Sequence, residues 1–258
     1  MAASAPTKIT VSAIGRWLGL GWQHQRKSLG LSMLYALPFV LICILLEWGL
    51  MYNGYALISY LLAGGFLLLL PPLLVVYYQI IDQQNNNQPV TAGTLLQAFR
   101  NTPSTIWGLL VIAIILYLIW ITDALIVYTV YFTLDPLDLD SYGTDQLLRG
   151  EVNEFLFYAT LMGAVIGVIA FAITAFAIPK AFYQKAGFVD AVVYSIKTIF
   201  RHFPVMVPWA LLVGSSQLLA LTFFPPLELL LLPLFAFANY YAYQDSLIAA
   251  EGAVADAG

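Results

Sequence analysis

Long apolar runs alternate with short mixed segments along almost the whole chain. Six runs approach the roughly 20 mainly apolar residues that an α-helix needs to cross a bilayer. They cover residues 29–50, 55–80, 104–132, 155–179, 204–223 and 227–248. Gly54 separates the first two, and Pro225 and Pro226 separate the last two, because proline lacks a backbone donor and fixes its own torsion. Pro38, Pro71, Pro72, Pro208 and Pro233 fall inside runs. Kinks are expected there, with the freed carbonyls finding partners inside the bundle.

The mixed segments carry a second pattern. Before the first, third and fifth runs stand "VSAIGRWLGLGWQHQRKS", "TAGTLLQAFRNTPSTIW" and "FVDAVVYSIKTIFRHFPVMVPW". Each reads as a short helix with a basic C-terminal end. In the last, Val189, Val192, Val193, Ile196 and Phe200 follow the 3–4 spacing of one helical face. Such helices are expected to lie at the membrane interface. Each pair of runs also closes on a similar phrase: Tyr77–Tyr78–Gln79, Phe182–Tyr183–Gln184 and Ala242–Tyr243–Gln244. "LLLLPPLLVVYYQIID" at 67–82 and "LLLLPLFAFANYYAYQDSLI" at 229–248 show the echo most fully. The predicted fold is therefore all-α: one integral membrane domain over 1–258, a polytopic bundle of six transmembrane helices with three interfacial amphipathic helices. It is built as three helix–span–span repeats over about 12–82, 91–186 and 189–247.

Composition agrees. Hydrophobic residues make up 61% and charged residues 9%, against about 25% charged in soluble domains. Mean hydropathy is +0.85. The N-terminal segment has no early uninterrupted apolar stretch, so the first run reads as a retained span and not a cleavable signal. Nine of the ten Lys and Arg residues fall on one side of a six-span arrangement, Arg149 alone on the other. That asymmetry predicts both termini in the cytoplasm and an acidic outer loop at 133–154. The tyrosines are expected in headgroup belts: Tyr77, Tyr78, Tyr183, Tyr240, Tyr241 and Tyr243 inside, with Trp17, Trp22 and Trp107 nearby, and Tyr128, Tyr131 and Tyr158 outside.

Three further stretches, "AFRNTP", "PPLLVVYYQ" and the closing "YYAYQDSL", carry a resemblance. The chain resembles a broad set of uncharacterised six-span bacterial inner-membrane proteins, some of them loosely labelled cytochrome-oxidase-associated. Gln244 stands where arginine is usual in that set. The resemblance implies an integral inner-membrane protein and transfers no functional residue.

Candidate chemistry is sparse. Phosphate-loop, dinucleotide, H-E-x-x-H and C-x-x-C patterns are absent. His24 and His202 flank the spans instead of sitting within them, so no cofactor or metal is expected. Cys43 lies in an apolar run, as a small hydrophobe. Asp138, Asp140 and Gly143 match three positions of a calcium loop, but Tyr142 and Arg149 break it. Gly163 and Gly167 form G-x-x-x-G within a small-residue stripe, expected to pack inside the bundle. "DQQNNNQPV" at 82–90 reads as a short mobile linker.

Polar residues within the runs define a candidate intramembrane site: Asp123, Ser216, Gln217, Glu47 and Glu228. Asp123 lies farthest from a span end and is expected to point inward, with Ser216 and Gln217 as its neighbours. Glu47 and Glu228 are expected to reach headgroup water. Two function classes follow. One is a non-enzymatic scaffold, assembly or accessory subunit, whose partners are the lipid bilayer and other membrane-protein subunits and not nucleic acid. The other is a small transporter or channel for a cation or other small solute, using Asp123.

Overall fold

The computed structural model describes residues 9–52, 68–69, 71–131 and 150–255. Among them every regular element is helical. The elements are α1 (Ala13–Lys27), α2 (Leu29–Tyr52), α3 (Val75–Asn85), α4 (Ala92–Asn101), α5 (Ser104–Tyr131), α6 (Gly150–Thr174), α7 (Ala177–Gln184), α8 (Phe188–Arg201), α9 (Phe203–Phe223), a 3-10 turn (Pro225–Leu227) and α10 (Glu228–Ala255). Residues 133–149 of the expected acidic loop, with its calcium-like positions, and most of the second expected span lie outside the described residues, while 150–154 open α6.

Among the described residues four helices are long and apolar enough to cross a membrane: Leu29–Leu46, Ser104–Val130, Glu154–Gln184 and Phe203–Phe223. Of the sixth expected span, α10 is helical throughout, but past Ala238 it turns polar, with Asn239, Gln244 and Asp245. The three mixed segments are helical as expected, and each joins an apolar helix directly: α1 to α2 through Ser28, α4 to α5 through Thr102 and Pro103, α8 to α9 through His202. Each ends on basic residues, Arg26 and Lys27, Arg100, and Arg201, where a cation offsets the partial negative charge of the helix C-terminus.

The short helices differ in what they bury. On α1, Ala13, Trp17 and Gly21 are covered by protein, chiefly by α10. The two backbones meet at Gly21: a Cβ there would stand 2.8 Å from the Ala238 nitrogen. A face expected to rest on lipid is thus part of the core, because glycine at 21 lets α10 come close enough to cover it. On α8 the reverse holds. Small and polar residues (Ala191, Ser195, Thr198) face the protein, while Val189 and Phe200 are 71% and 67% exposed. That apolar surface, flanked by exposed Lys197 and Arg201, fits an in-plane interfacial helix.

The Gly163 and Gly167 stripe divides. A Cβ at Gly163 would meet the Trp120 indole at 2.8 Å, whereas Gly167 faces open space. Gly163 therefore serves packing between α5 and α6. The expected linker is a defined turn. Gln88 N donates to Gln83 O at 2.8 Å, Asn87 takes the left-handed conformation (φ 53°), and the buried Gln83 side chain accepts from Thr94 Oγ1 at 2.6 Å. Thr91 and Thr94 form a reciprocal cap at the start of α4.

Candidate functional site

The three similar phrases converge. Tyr78, Tyr183 and Tyr243 hold equivalent places in them, and in the fold their rings are neighbours. Tyr183 lies 6.1 Å from Tyr78 and 6.3 Å from Tyr243, stacked on the latter with planes 15° apart. Tyr77 and Tyr243 have no exposed surface and Tyr78 only 1%. This corrects the headgroup-belt expectation for those three, and for Trp17, which is also fully covered. A belt residue needs its hydroxyl in water. Here the hydroxyls of Tyr77 and Tyr78 are satisfied by other helices, so the rings can be withdrawn into the core.

The bonds are specific. Tyr77 O–H donates to Ser32 O at 3.3 Å, Tyr35 O–H to Leu73 O at 2.8 Å and Tyr183 O–H to Tyr78 O at 3.0 Å. Asn239 Nδ2 donates to Tyr78 Oη at 3.1 Å and to Ala175 O at 2.7 Å. The second of these has a covalent cause. An α-helix bonds each N–H to the carbonyl four residues earlier, and Pro179 has no N–H to give Ala175. Asn239 supplies the missing donor. Beside it, Ser195 Oγ accepts from Phe176 N at 3.1 Å and donates to Ala172 O at 2.8 Å. The break between α6 and α7 is thereby capped from α8 and α10. Sequence reasoning missed Asn239 and Ser195. Their signals were a lone Asn in the apolar "FAFANYY" and a Pro179 five residues past the end of an otherwise ordinary helix.

Asp245, past the last phrase, holds α1. Arg16 Nη2 and Trp17 Nε1 both donate to its Oδ2, the indole at 2.7 Å. His24 is buried and bonds through Nδ1 with Gln84 Oε1 on α3, while Gln84 Nε2 donates to His24 O. Burial lowers the His24 pKa below its usual 6.5, against the opposing effect of the Gln84 bond and with a smaller push from Lys27. His202 is lowered too, first by burial and then by Arg201. No group of three metal-ligating side chains occurs among the described residues.

At the rim of the junction a cleft of about 390 Å³ is lined by Gln79, Asp82, Asn101, Phe182, Tyr183 and Lys185. It brings the first two phrases to one solvent-reaching place.

The sequence-derived polar residues do not gather into one site. Asp123 on α5 is half-buried and makes no hydrogen bond or ion pair with any described residue. Its neighbours Trp120 and Ala124 pack with Phe155 and Ala159 of α6. Ser216 is half-buried and Gln217 is buried, and Gln217 faces Glu228, not the expected Asp123. Glu228 is 3% exposed, so it does not reach headgroup water as expected: the α9–α10 hairpin closes over it. The side chain of Glu47 lies outside the described residues.

Neither the curated proteins nor the solved structures contain a match to the chain. Residues 59–180 match the family model described as "Predicted integral membrane protein (DUF2189)". With its apolar helices long enough to span a bilayer, the chain is a helical integral membrane protein similar over that stretch to this family of unknown function.

Proposed function

We propose that the protein is a non-catalytic membrane scaffold, an accessory or assembly subunit that engages other membrane proteins or lipid. The observation that carries this reading is the use made of the polar groups at the tyrosine junction. Tyr77, Tyr183, Asn239, Ser195 and Asp245 each tie one helix to another. Polar chemistry spent on joining helices suits a rigid platform. The outward apolar face of α8 adds an in-plane surface on which lipid or a neighbouring subunit can rest.

In this reading the chain has six spans in a bacterial inner membrane, both termini cytoplasmic, and three repeat units. The charge asymmetry supports the orientation. The meeting of Tyr78, Tyr183 and Tyr243 supports the repeat, since equivalent positions of stacked repeats become neighbours. Mild-detergent purification of the full chain tests the scaffold. A stoichiometric membrane-protein partner, retained through cross-linking, is the expected result, and a chain that purifies alone while catalysing solute uptake in vesicles would overturn it.

One observation favours a second reading, transport of a cation. Asp123 is an acid within a long apolar helix and has no polar partner among the described residues, and such acids mark ion pathways in many membrane proteins. Replacing Asp123 with Asn decides. Unchanged function in cells removes the transport reading, whereas a folded variant without function sinks the scaffold.

A further inference from the structure

Glu228 opens α10 immediately after the Pro225–Leu227 turn, and Gln217 lies in the last third of α9. The hairpin sets the two side chains facing each other and buries both, with 3% of Glu228 and 5% of Gln217 exposed. The Gln217 carboxamide is the one side-chain donor set against the carboxyl, yet no contact of good hydrogen-bond geometry reaches either Glu228 oxygen or the Gln217 carboxamide oxygen. An acid in the first turn of a helix ordinarily collects backbone N–H groups there. These oxygens collect none.

Among the described residues no cation compensates. Among the described residues the ion pairs are Arg16–Asp245 and Lys180–Asp190. Of the elements packed on α10, α1 brings Gln25, whose Nε2 donates to Leu230 O at 3.0 Å, Arg16, which is spent on Asp245, His24, which is bonded to Gln84, and Arg26 and Lys27, which are exposed. From α3 comes Tyr77, the other titratable group close to Glu228, and its hydroxyl donates to Ser32 O. From α7 comes Tyr183, whose hydroxyl is bonded to Tyr78 O. α2 adds no Lys, Arg or His. An ionised carboxylate buried without a counter-ion, and with a single carboxamide facing it, is strongly disfavoured.

One proton removes every deficit of the pair. A carboxylic acid and a carboxamide can exchange two hydrogen bonds in a ring. The acid O–H donates to the carboxamide oxygen, and a carboxamide N–H donates to the acid carbonyl. The atoms this satisfies are the three that now lack partners. We propose that Glu228 binds a proton in the folded protein and forms a two-bond acid–amide pair with Gln217, which clamps the α9–α10 hairpin. The proton comes from bulk water on folding, one per chain, and no other bond is made or broken.

Infrared difference spectra of the full chain in detergent micelles at neutral pH test this, wild type against Glu228→Gln. The carbonyl stretch of a protonated carboxylic acid should be present in the wild type, shift in heavy water and vanish in the variant. Thermal midpoints should stay within a few degrees, because two facing carboxamides form the same ring. Gln217→Met, which keeps chain length and volume, should move the acid band to higher frequency as the ring opens. A missing acid band would show an ionised Glu228 and overturn the proposal, as would a large loss of stability in Glu228→Gln. An acid band that Gln217→Met leaves unmoved would overturn the pairing.

Discussion

A single carboxamide, Asn239, does the work of a missing backbone N–H. Because Pro179 leaves Ala175 O without its helical donor, replacing Asn239 with Leu should strand that carbonyl and the Tyr78 hydroxyl together. Each buried group left unpartnered costs about 1–3 kcal/mol. A drop of that size or more in unfolding free energy, measured by denaturant titration in micelles, is the expected outcome. Tyr243 makes the opposite case. Its ring is fully buried, but its hydroxyl has no partner. Tyr243→Phe should therefore be neutral or stabilising by up to about 1 kcal/mol, since removing an unpaired polar atom relieves a desolvation cost. A clear loss of stability would mean that the hydroxyl is bonded after all.

Helix α1 depends on one close approach and one titratable contact. At Gly21 any added carbon meets the α10 backbone, which cannot rotate away as a side chain can. Gly21→Val should cost about 1–3 kcal/mol by overpacking and raise protease cleavage around α1. The contact at His24 carries a pH dependence. Burial lowers its pKa in the folded protein, so at mildly acidic pH the unfolded chain binds the proton more readily. Stability rises with pH wherever the unfolded state holds more protons. The contribution is thus present above the ordinary value of 6.5 and is lost as pH falls below it. The thermal midpoint of the wild type should fall more steeply than that of His24→Gln on acidification. His202 acts in the same direction in both proteins, so equal slopes would discount His24.

For the whole molecule the open arrangement is its orientation. Single cysteines placed between 138 and 145, in a background with Cys43 replaced by Ala, should react with an impermeant reagent added outside intact cells. Labelling that requires permeabilisation would invert the topology. The tyrosine junction makes a further demand on any account of the fold: residues from α3, α7 and α10 must come within ring contact of one another.

Much of this was legible from the chain alone. Solvent class, helical architecture and the short helices before α2, α5 and α9 follow from local composition and period, because a helix satisfies its own backbone and its solvent selects its side chains. The sequence also carried the three phrases. It did not carry their meaning, since an isolated tyrosine in an apolar run looks the same whether its hydroxyl reaches water or a carbonyl on another helix. Which residues pair across helices depends on rotation and depth, and those are set by close contacts such as Gly21 on Ala238 and Gly163 on Trp120. So Asp123, conspicuous in the sequence, stands apart from the polar contacts of the described fold. Glu228, expected to reach headgroup water beside two prolines, is enclosed because those prolines turn the hairpin back over it.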